Sequence, residues 1–462
     1  MLLRDDEFRV LGPWPARMTH ATSGRHRDID QGTLLVPTSR ERSESPALAL
    51  PFIRLRAKRD YGLPPLIVLA GGPGVAAIGA FERNFFDHAE RLSEVCDVLT
   101  FDQRGCQRAL PDLSNPWSPN YKLDSPLDRD GFLEAHRENA KQLATHYFEA
   151  GVNLNDFNTI ESSHDVDDLR RALGYETINL HGASYGSHLG LTVLREHGDH
   201  VSRAILCIVE GLNDTHKLPS NTDRHFRHLA DLAKEDSALE GEFGDLYAEL
   251  ATVLEDFERT PESIEVSGHN QSVPIGKFAL QLMLGSALGS VRAIKGLPTL
   301  TRQLAQRDLS ASSSRLARWV TAPGMHGMML AMDFASGATS ERMRRIESER
   351  GQALLNDSFN LPFPFNGDVL GVNDLGDDFR KPVITDTPTL FCAGTLDGRT
   401  PISNAEAVRT GFAESQLVVV EGASHQVPDV LIEPETRFLL GRDIGTARLS
   451  VPFVFDPLSE TP

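Results

Sequence analysis

Cysteine is scarce in this sequence of 462 residues, and its four positions form no recognisable motif. The cysteines lie far apart and include no Cys-x-x-Cys pair: Cys96, Cys106, Cys207 and Cys392. Zinc sites and disulfide frameworks depend on closely or regularly spaced cysteines, so we expect neither here. Three of the four fall in apolar runs typical of strands, which favours small buried thiols.

Positive charge is also scarce, because 46 lysines and arginines face 65 aspartates and glutamates and leave a net charge of −19. Affinity for phosphate backbones comes from clustered positive charge, so this balance excludes a general nucleic-acid binder. The longest weakly polar stretch, residues 66–81, is interrupted by Gly71, Gly72 and Gly74 and is too broken to cross a membrane. The first residues lack the apolar run of a secretory signal, so we expect a cytoplasmic protein without a membrane partner.

What is present is the composition of an ordinary globular protein, with 40% hydrophobic and 24% charged residues. Short apolar runs alternate with helical stretches, and these runs are 66–70, 97–101, 177–180, 204–209, 389–393 and 416–420. Fully apolar strands separated by helices predict an α/β fold, a mostly parallel sheet with helices on both faces. Partial alternation of apolar and polar positions in the first sixty residues predicts an antiparallel beginning.

The alternation of strands and helices stops between Leu212 and about residue 385. Helical periodicity dominates there, at 222–235, 242–258, 314–320 and 339–356, with one candidate hairpin at 263–275. An insertion of this size between two strands of a parallel sheet is most simply a cap over their C-terminal ends, where ligands bind in such folds. We therefore predict a core formed by residues 1–211 and 386–462 and a mainly helical cap formed by residues 212–385.

The most informative motif follows the predicted strand at 177–180. Gly182, Ser184 and Gly186 form the pattern Gly-x-Ser-x-Gly, and a helical run comes directly after them. This pattern is typical of a serine on a sharp strand-to-helix turn, where side chains at the flanking glycines would clash. Ser184 is therefore a candidate nucleophile.

A serine hydroxyl attacks only when a base takes its proton and a carboxylate orients that base. Asp397 and His425 each directly follow a predicted strand, so both lie in loops at the same edge of the sheet as Ser184. The order Ser, Asp, His also fits this architecture. A single histidine is usually a surface residue, and the alternative role of Asp397 is an acid at the start of the helix after Pro401. The agreement of order and position favours a catalytic triad.

Stabilising the negative oxygen that forms during acyl transfer requires two backbone N–H groups. Tyr185, directly after Ser184, supplies the first. Gly71 and Gly72 follow the predicted strand at 66–70 and are candidates for the second, because small residues let the backbone approach the developing charge. A glycine turn without a catalytic role is the alternative for this segment.

Together these motifs resemble the proline iminopeptidase and tripeptidyl aminopeptidase family of α/β-hydrolases. The resemblance covers most of the chain and rests on these segments: Gly-Gly-Pro-Gly at 71–74, Asp-Gln-Arg-Gly at 102–105, residues 165–173 and 182–186, residues 394–397, and His425. It implies an α/β-hydrolase fold in which Ser184 is the nucleophile, His425 the general base and acid, and Asp397 its orienting group. By the same resemblance Gly72 and Tyr185 bind the oxyanion.

Enzymes of this family recognise the free amino group of the substrate with acidic residues. Glu210, just after a predicted strand end and before the cap, is the acid that the sequence places best to face the site. An ion pair that anchors the cap explains Glu210 equally well.

The leading hypothesis is a cofactor-free and metal-free serine peptidase, an aminopeptidase of the proline iminopeptidase type that releases N-terminal residues from short peptides through an acyl-enzyme. An esterase, amidase or lactonase acting on a small metabolite is the alternative, because the same residues cleave both bond types and the shape of the cap decides. A non-catalytic ligand-binding protein of the same fold is less favoured, since all three triad residues are present.

Overall fold

The computed structural model describes residues 1–239, 241, 243–266, 272–445 and 447–458. Its strands are β1 (Leu2–Arg4), β2 (Arg9–Thr19), β3 (His26–Pro37), β4 (Glu44–Leu55), β5 (Leu66–Leu69), β6 (Val98–Phe101), β7 (Ile178–Ser184), β8 (Val201–Val209), β9 (Glu262–Ile264), β10 (Val273–Ile275), β11 (Thr389–Gly394), β12 (Ser415–Glu421) and β13 (Arg448–Ser450). One 11-stranded sheet has the order β13-β12-β11-β8-β7-β5-β6-β4-β3-β2, with β1 paired to β4.

The sheet changes character along the chain, as the sequence predicts. Strands β1 to β4 pair antiparallel with one another, and β4 joins them to β6. Neighbouring strands are parallel in the rest of this sheet, which has the spatial order β6, β5, β7, β8, β11, β12, β13. Every residue of β6 and β11 is buried, because these central strands are covered on both faces. Parallel strands bring their C-terminal ends to one edge, and the loops after β5, β7, β8, β11 and β12 meet there.

Helices connect most of these strands. They are α1 (Ala77–Ala80), α2 (Phe86–Leu92), α3 (Arg129–Glu149), α4 (Thr159–Ala172), α5 (Tyr185–His197), α6 (Pro219–Glu235), α7 (Leu246–Arg259), α8 (Lys277–Leu284), α9 (Val291–Lys295), α10 (Leu297–Ala305), α11 (Ser313–Thr321), α12 (Gly327–Ser336), α13 (Ser340–Arg350), α14 (Gly367–Leu370), α15 (Gly376–Phe379), α16 (Ile402–Arg409) and α17 (Ile432–Leu439). Among them, none combines the length and the apolar character that crossing a bilayer requires.

The segment between β8 and β11 is mainly helical and carries helices α6 to α15. The predicted hairpin is found as β9 and β10, whose connecting residues 267–271 lie outside the described residues. The helix predicted at 339–356 is too long, because α13 ends at Arg350 and Gly351 caps it. The helix predicted at 242–258 begins at Leu246, where the Asp245 side chain accepts from the N–H of Ala248 and caps the first turn.

Two large apolar clusters show how this segment packs. Helices α6, α7, α8 and α10 bury their apolar faces against one another in a cluster that also includes Leu396. Helix α12 instead contributes Met328 and Met332 to the cluster that contains the central strands and Tyr185. The helical segment is therefore attached to the sheet through α12, close to the C-terminal edge of β7. The division into a core and a separate cap at residues 212 and 385 stays a prediction.

Candidate active site

Strand β7 ends at Ser184 and helix α5 begins at the next residue, so the serine occupies the turn between them. Its backbone φ is 58°, a positive value that residues with a side chain rarely adopt. A Cβ on Gly182 would collide with the carbonyl oxygen of Gly186, and a Cβ on Gly186 would collide with that of Leu69. Both glycines are therefore required by the close approach of backbone atoms in this turn.

Ser184, His425 and Asp397 form a continuous chain of hydrogen bonds. The Oγ of Ser184 lies 2.9 Å from Nε2 of His425, and Nδ1 of His425 lies 2.8 Å from Oδ2 of Asp397. The other carboxylate oxygen accepts from the backbone N–H groups of Arg399, at 2.9 Å, and Thr400, at 3.0 Å. This arrangement favours the imidazole tautomer with its proton on Nδ1, which leaves Nε2 free to accept the serine proton.

Thr400 completes the surroundings of the carboxylate, although the sequence did not single it out. Its hydroxyl donates to Oδ2 of Asp397 at 2.8 Å and lies 3.2 Å from Nδ1 of His425. Burial raises the pKa of Asp397, but His425 and the hydrogen bonds from Thr400 outweigh burial and hold that pKa below its usual value. The alternative role of Asp397 as a helix-capping acid is wrong, because α16 begins after Pro401 without a side-chain cap.

The residues predicted to bind the oxyanion lie beside the serine. The N–H of Tyr185 is the first of α5 and has no acceptor within the helix, whose N-terminus carries partial positive charge. A Cβ on Gly71 would lie 3.0 Å from the carbonyl oxygen of Ala183 and 3.2 Å from Cβ of Ser184, so the loop after β5 passes close to the serine. Gly72 has a φ of +117° and lines the same cavity as Ser184. The role of these N–H groups as oxyanion donors stays a prediction.

A cavity of about 660 Å³ opens in front of Ser184 and His425. Glu210 lines it, and its Oε2 accepts from Nζ of Lys217 at 2.5 Å. The sequence therefore placed Glu210 near the site, but missed the lysine that pairs with it. Asp333 of α12 also lines the cavity, and no local motif marks it in the sequence. Burial raises the pKa of Asp333 well above its ordinary value, and the nearby charge of Glu210 raises it further.

A cluster of side chains that are common metal ligands lies in the core, apart from the residues that line this cavity. Oε2 of Glu435 lies 2.5 Å from Nε2 of His88, and Oε1 lies 3.3 Å from Nε2 of His181. Cys207 of β8 and Cys392 of β11 lie opposite each other on neighbouring strands, as free thiols beside the same carboxylate. Burial raises the pKa of Glu435, but the two imidazoles outweigh burial and lower it to about 2. The carboxylate bonds to Nε2 of both imidazoles, whereas Nδ1 of His88 and Nδ1 of His181 are buried without a hydrogen-bond partner among the described residues.

Comparisons with known proteins agree with this architecture. A family model described as alpha/beta hydrolase fold matches residues 64–429. The serine protease Hip1 of Mycobacterium tuberculosis is 28% identical over 181 residues, which are 38% of this chain and 35% of that protein. The tripeptidyl aminopeptidase of Streptomyces coelicolor is 29% identical over 147 residues, 30% of this chain and 27% of that protein. The matched segment thus spans about a third of the length of the first relative and about a quarter of that of the second.

The alignment with a solved structure of proline iminopeptidase from Mycobacterium smegmatis covers 85% of this chain and 95% of the chain of that structure. Its sequence identity to this chain is 16%, and the TM-score is 0.40.

Proposed function

We propose, on the premise that this chain belongs to the alpha/beta hydrolase fold family, that it is a serine hydrolase which releases N-terminal residues from short peptides. The observation that carries the proposal is the hydrogen-bonded chain from Ser184 through His425 to Asp397, at 2.9 and 2.8 Å. A serine on a strained turn, a base within hydrogen-bond reach and a buried orienting carboxylate are together the requirements for nucleophilic acyl transfer. The two relatives are a serine protease and a tripeptidyl aminopeptidase, which supports a peptidase.

The reaction follows from the positions of these atoms. His425 Nε2 takes the hydroxyl proton while Ser184 Oγ attacks the substrate carbonyl carbon. The N–H groups of Tyr185 and Gly72 donate to the oxygen that becomes negative. His425 then gives the proton to the leaving amine, and the acyl group remains on Ser184. Water attacks this ester in the second half, with His425 again as the base, and releases the N-terminal product.

Glu210 and Asp333 are the proposed site for the free amino group of the substrate. Both line the cavity in front of Ser184, and one lysine, Lys217, offsets the charge of Glu210. The pKa of Asp333 is raised because it is buried and close to the charge of Glu210, and a bound ammonium group would stabilise its ionised form. An amine bound there by two carboxylates makes charge-assisted hydrogen bonds, which are stronger than neutral ones. A peptide bond near the amine is thereby presented to Ser184.

A substrate panel tests the proposal. It pairs the anilides of proline and alanine with the same anilides blocked at the amine and with short-chain esters, and Ser184→Ala serves as the blank. We expect cleavage of the free-amino anilides and little cleavage of the blocked ones. Turnover of the esters alone would favour the esterase alternative. Absence of turnover, together with failure of a serine-reactive phosphonate to label Ser184, would favour a non-catalytic binding protein.

The amino-group site has its own signature in the pH profile. Asp333 must be ionised to bind an ammonium group, so kcat/KM for free-amino anilides should rise with pH as its raised pKa is passed. Asp333→Asn should lower that kcat/KM by about tenfold to a hundredfold and remove this pH-dependent limb. Asp386→Asn, which removes an exposed carboxylate, is the matched control. Equal losses on esters that lack an amine would contradict the assignment.

A further inference from the structure

We propose that the same cavity also binds a carboxylate carried by the leaving part of the substrate, through Arg315 and Arg318. The preferred substrates are then short peptides with a free carboxylate close to the bond that is cut. This inference rests on the proposed aminopeptidase function and adds the substrate class.

The charge of the cavity is opposite to that of the protein. The chain as a whole has a net charge of −19. The cavity wall carries four cationic side chains, Lys217, Arg315, Arg318 and Arg399, against two carboxylates, Glu210 and Asp333. Even with both carboxylates ionised, the wall has an excess of two positive charges. A cleft lined mainly by one sign of charge concentrates ligands of the opposite sign, so this wall favours a substrate with an anionic group.

Arg399 places one of these positive charges close to His425. A Cβ on Gly289 would lie 2.6 Å from Cδ of Arg399 and 2.9 Å from Cβ of His425, so both side chains flank one glycine. The Arg399 guanidinium lies over the ring of Phe359, 5.2 Å from its centroid, which holds it at the wall. The positive charge of Arg399 also lowers the pKa of Asp333, so Arg399 lies near the amino-group carboxylates as well, and the bound carboxylate is assigned to the two arginines of α11.

Arg315 and Arg318 add the unpaired charge. They are three residues apart on α11, so they share one face of the helix, and both line the cavity. Neither guanidinium has an ion-pair partner within the described part of the chain, and both side chains are exposed. Like charges at this spacing destabilise an isolated helix slightly. A bound anion would offset that repulsion, and the planar guanidinium matches a carboxylate in a two-point contact.

The cavity therefore offers partners for both charged groups of a short peptide. The amine is assigned to Glu210 and Asp333, and the carboxylate to Arg315 and Arg318. In a peptide that is cut after its first residue, the C-terminal carboxylate belongs to the part that leaves. A volume of about 660 Å³ is in the range of sites that enclose a small ligand. The carboxylate can be the C-terminal group of the peptide or the side chain of an acidic residue, which have the same chemistry and which the test separates.

The test compares three peptides that differ only in where a carboxylate is placed: an alanine tripeptide with a free C-terminus, the same tripeptide as its C-terminal amide, and an amide whose last residue is glutamate. Release of the first residue is followed by chromatography to give kcat/KM. We expect the free acid to exceed the alanine amide by about tenfold, the size of one charged hydrogen bond. Recovery with the glutamate amide would assign the site to a side-chain carboxylate as well.

The double variant Arg315→Gln with Arg318→Gln should bring the ratio of free acid to amide close to one. Arg344→Gln, an exposed arginine of α13 that does not line the cavity, is the control for loss of one positive charge and should keep the ratio. Equal kcat/KM for acid and amide in the unmodified protein, or an unchanged ratio in the double variant, would overturn the inference. Aminoacyl anilides carry no carboxylate, so their cleavage separates failure of this inference from failure of the proposed function. Cleavage of no peptide or anilide at all would overturn both.

Discussion

Replacing Asp397 with asparagine tests whether the orientation of His425 makes Ser184 reactive. One carboxylate oxygen accepts from two backbone N–H groups, those of Arg399 at 2.9 Å and Thr400 at 3.0 Å. Only an oxygen can accept these bonds, so the amide oxygen of the substituted side chain is held on that side. Its NH₂ group then faces Nδ1 of His425, where Asp397 Oδ2 now lies at 2.8 Å.

The consequence is a change of tautomer with a large effect on rate. An amide N–H donates to Nδ1, which moves the imidazole proton to Nε2, 2.9 Å from Ser184 Oγ. The imidazole then donates to the serine instead of accepting its proton. Loss of the correct tautomer in a serine triad lowers kcat by about 10⁴. At about 1.36 kcal/mol for each factor of ten, this is about 5.4 kcal/mol of activation free energy.

The assay is kcat on the best substrate of the panel, with the rate of phosphonate labelling as a second measure of serine reactivity. KM should change little, because Asp397 is not among the residues that line the cavity. Circular dichroism and thermal unfolding establish that the variant is folded, and Asp386→Asn controls for the loss of one charge. A folded Asp397→Asn variant that loses less than about tenfold in kcat would refute the argument from the tautomer.

Two further substitutions test the turn and the core. Gly186→Ala places a Cβ against the carbonyl of Leu69, so it should displace Ser184 and lower kcat by about a hundredfold or more. Gly198→Ala is the control and should keep activity, because the space around Gly198 is open. Full activity of Gly186→Ala would contradict the packing argument. Glu435→Gln should lower the free energy of unfolding in urea by about 3 kcal/mol at neutral pH, because it leaves two buried imidazoles without their carboxylate. The pKa of Glu435 is about 2 in the folded state and 4.5 in the unfolded state, so its contribution to stability is present above pH 4.5 and is lost as pH falls toward 2. Glu435→Gln lacks this titrating group, so between pH 4.5 and 2 it should lose less stability than the unmodified protein does.

The sequence alone determined the parts of this protein that depend on local structure. An apolar strand followed by a glycine-flanked serine has few ways to fold, and the structure places Ser184 on that turn with a φ of 58°. The loops after parallel strands must meet at one edge of the sheet, so the order of Ser184, Asp397 and His425 was sufficient to predict their meeting. The sequence also indicated a close backbone approach at Gly71 and Gly72, because such an approach leaves little room for a side chain.

Only the tertiary structure decided what surrounds the triad. Asp333 reaches the cavity because α12 packs with the central strands, and nothing in its local sequence marks this contact. Arg315 and Arg318 are ordinary helix-surface residues in the sequence, and only the packing of α11 brings them to the wall of the cavity that Ser184 lines. The four residues grouped around Glu435 come from four other elements that are distant along the chain. Backbone geometry depends on a few consecutive residues, so it produces a motif that can be recognised in the sequence. The packing of a helical insertion depends on many weak contacts between distant residues, so it produces no such motif.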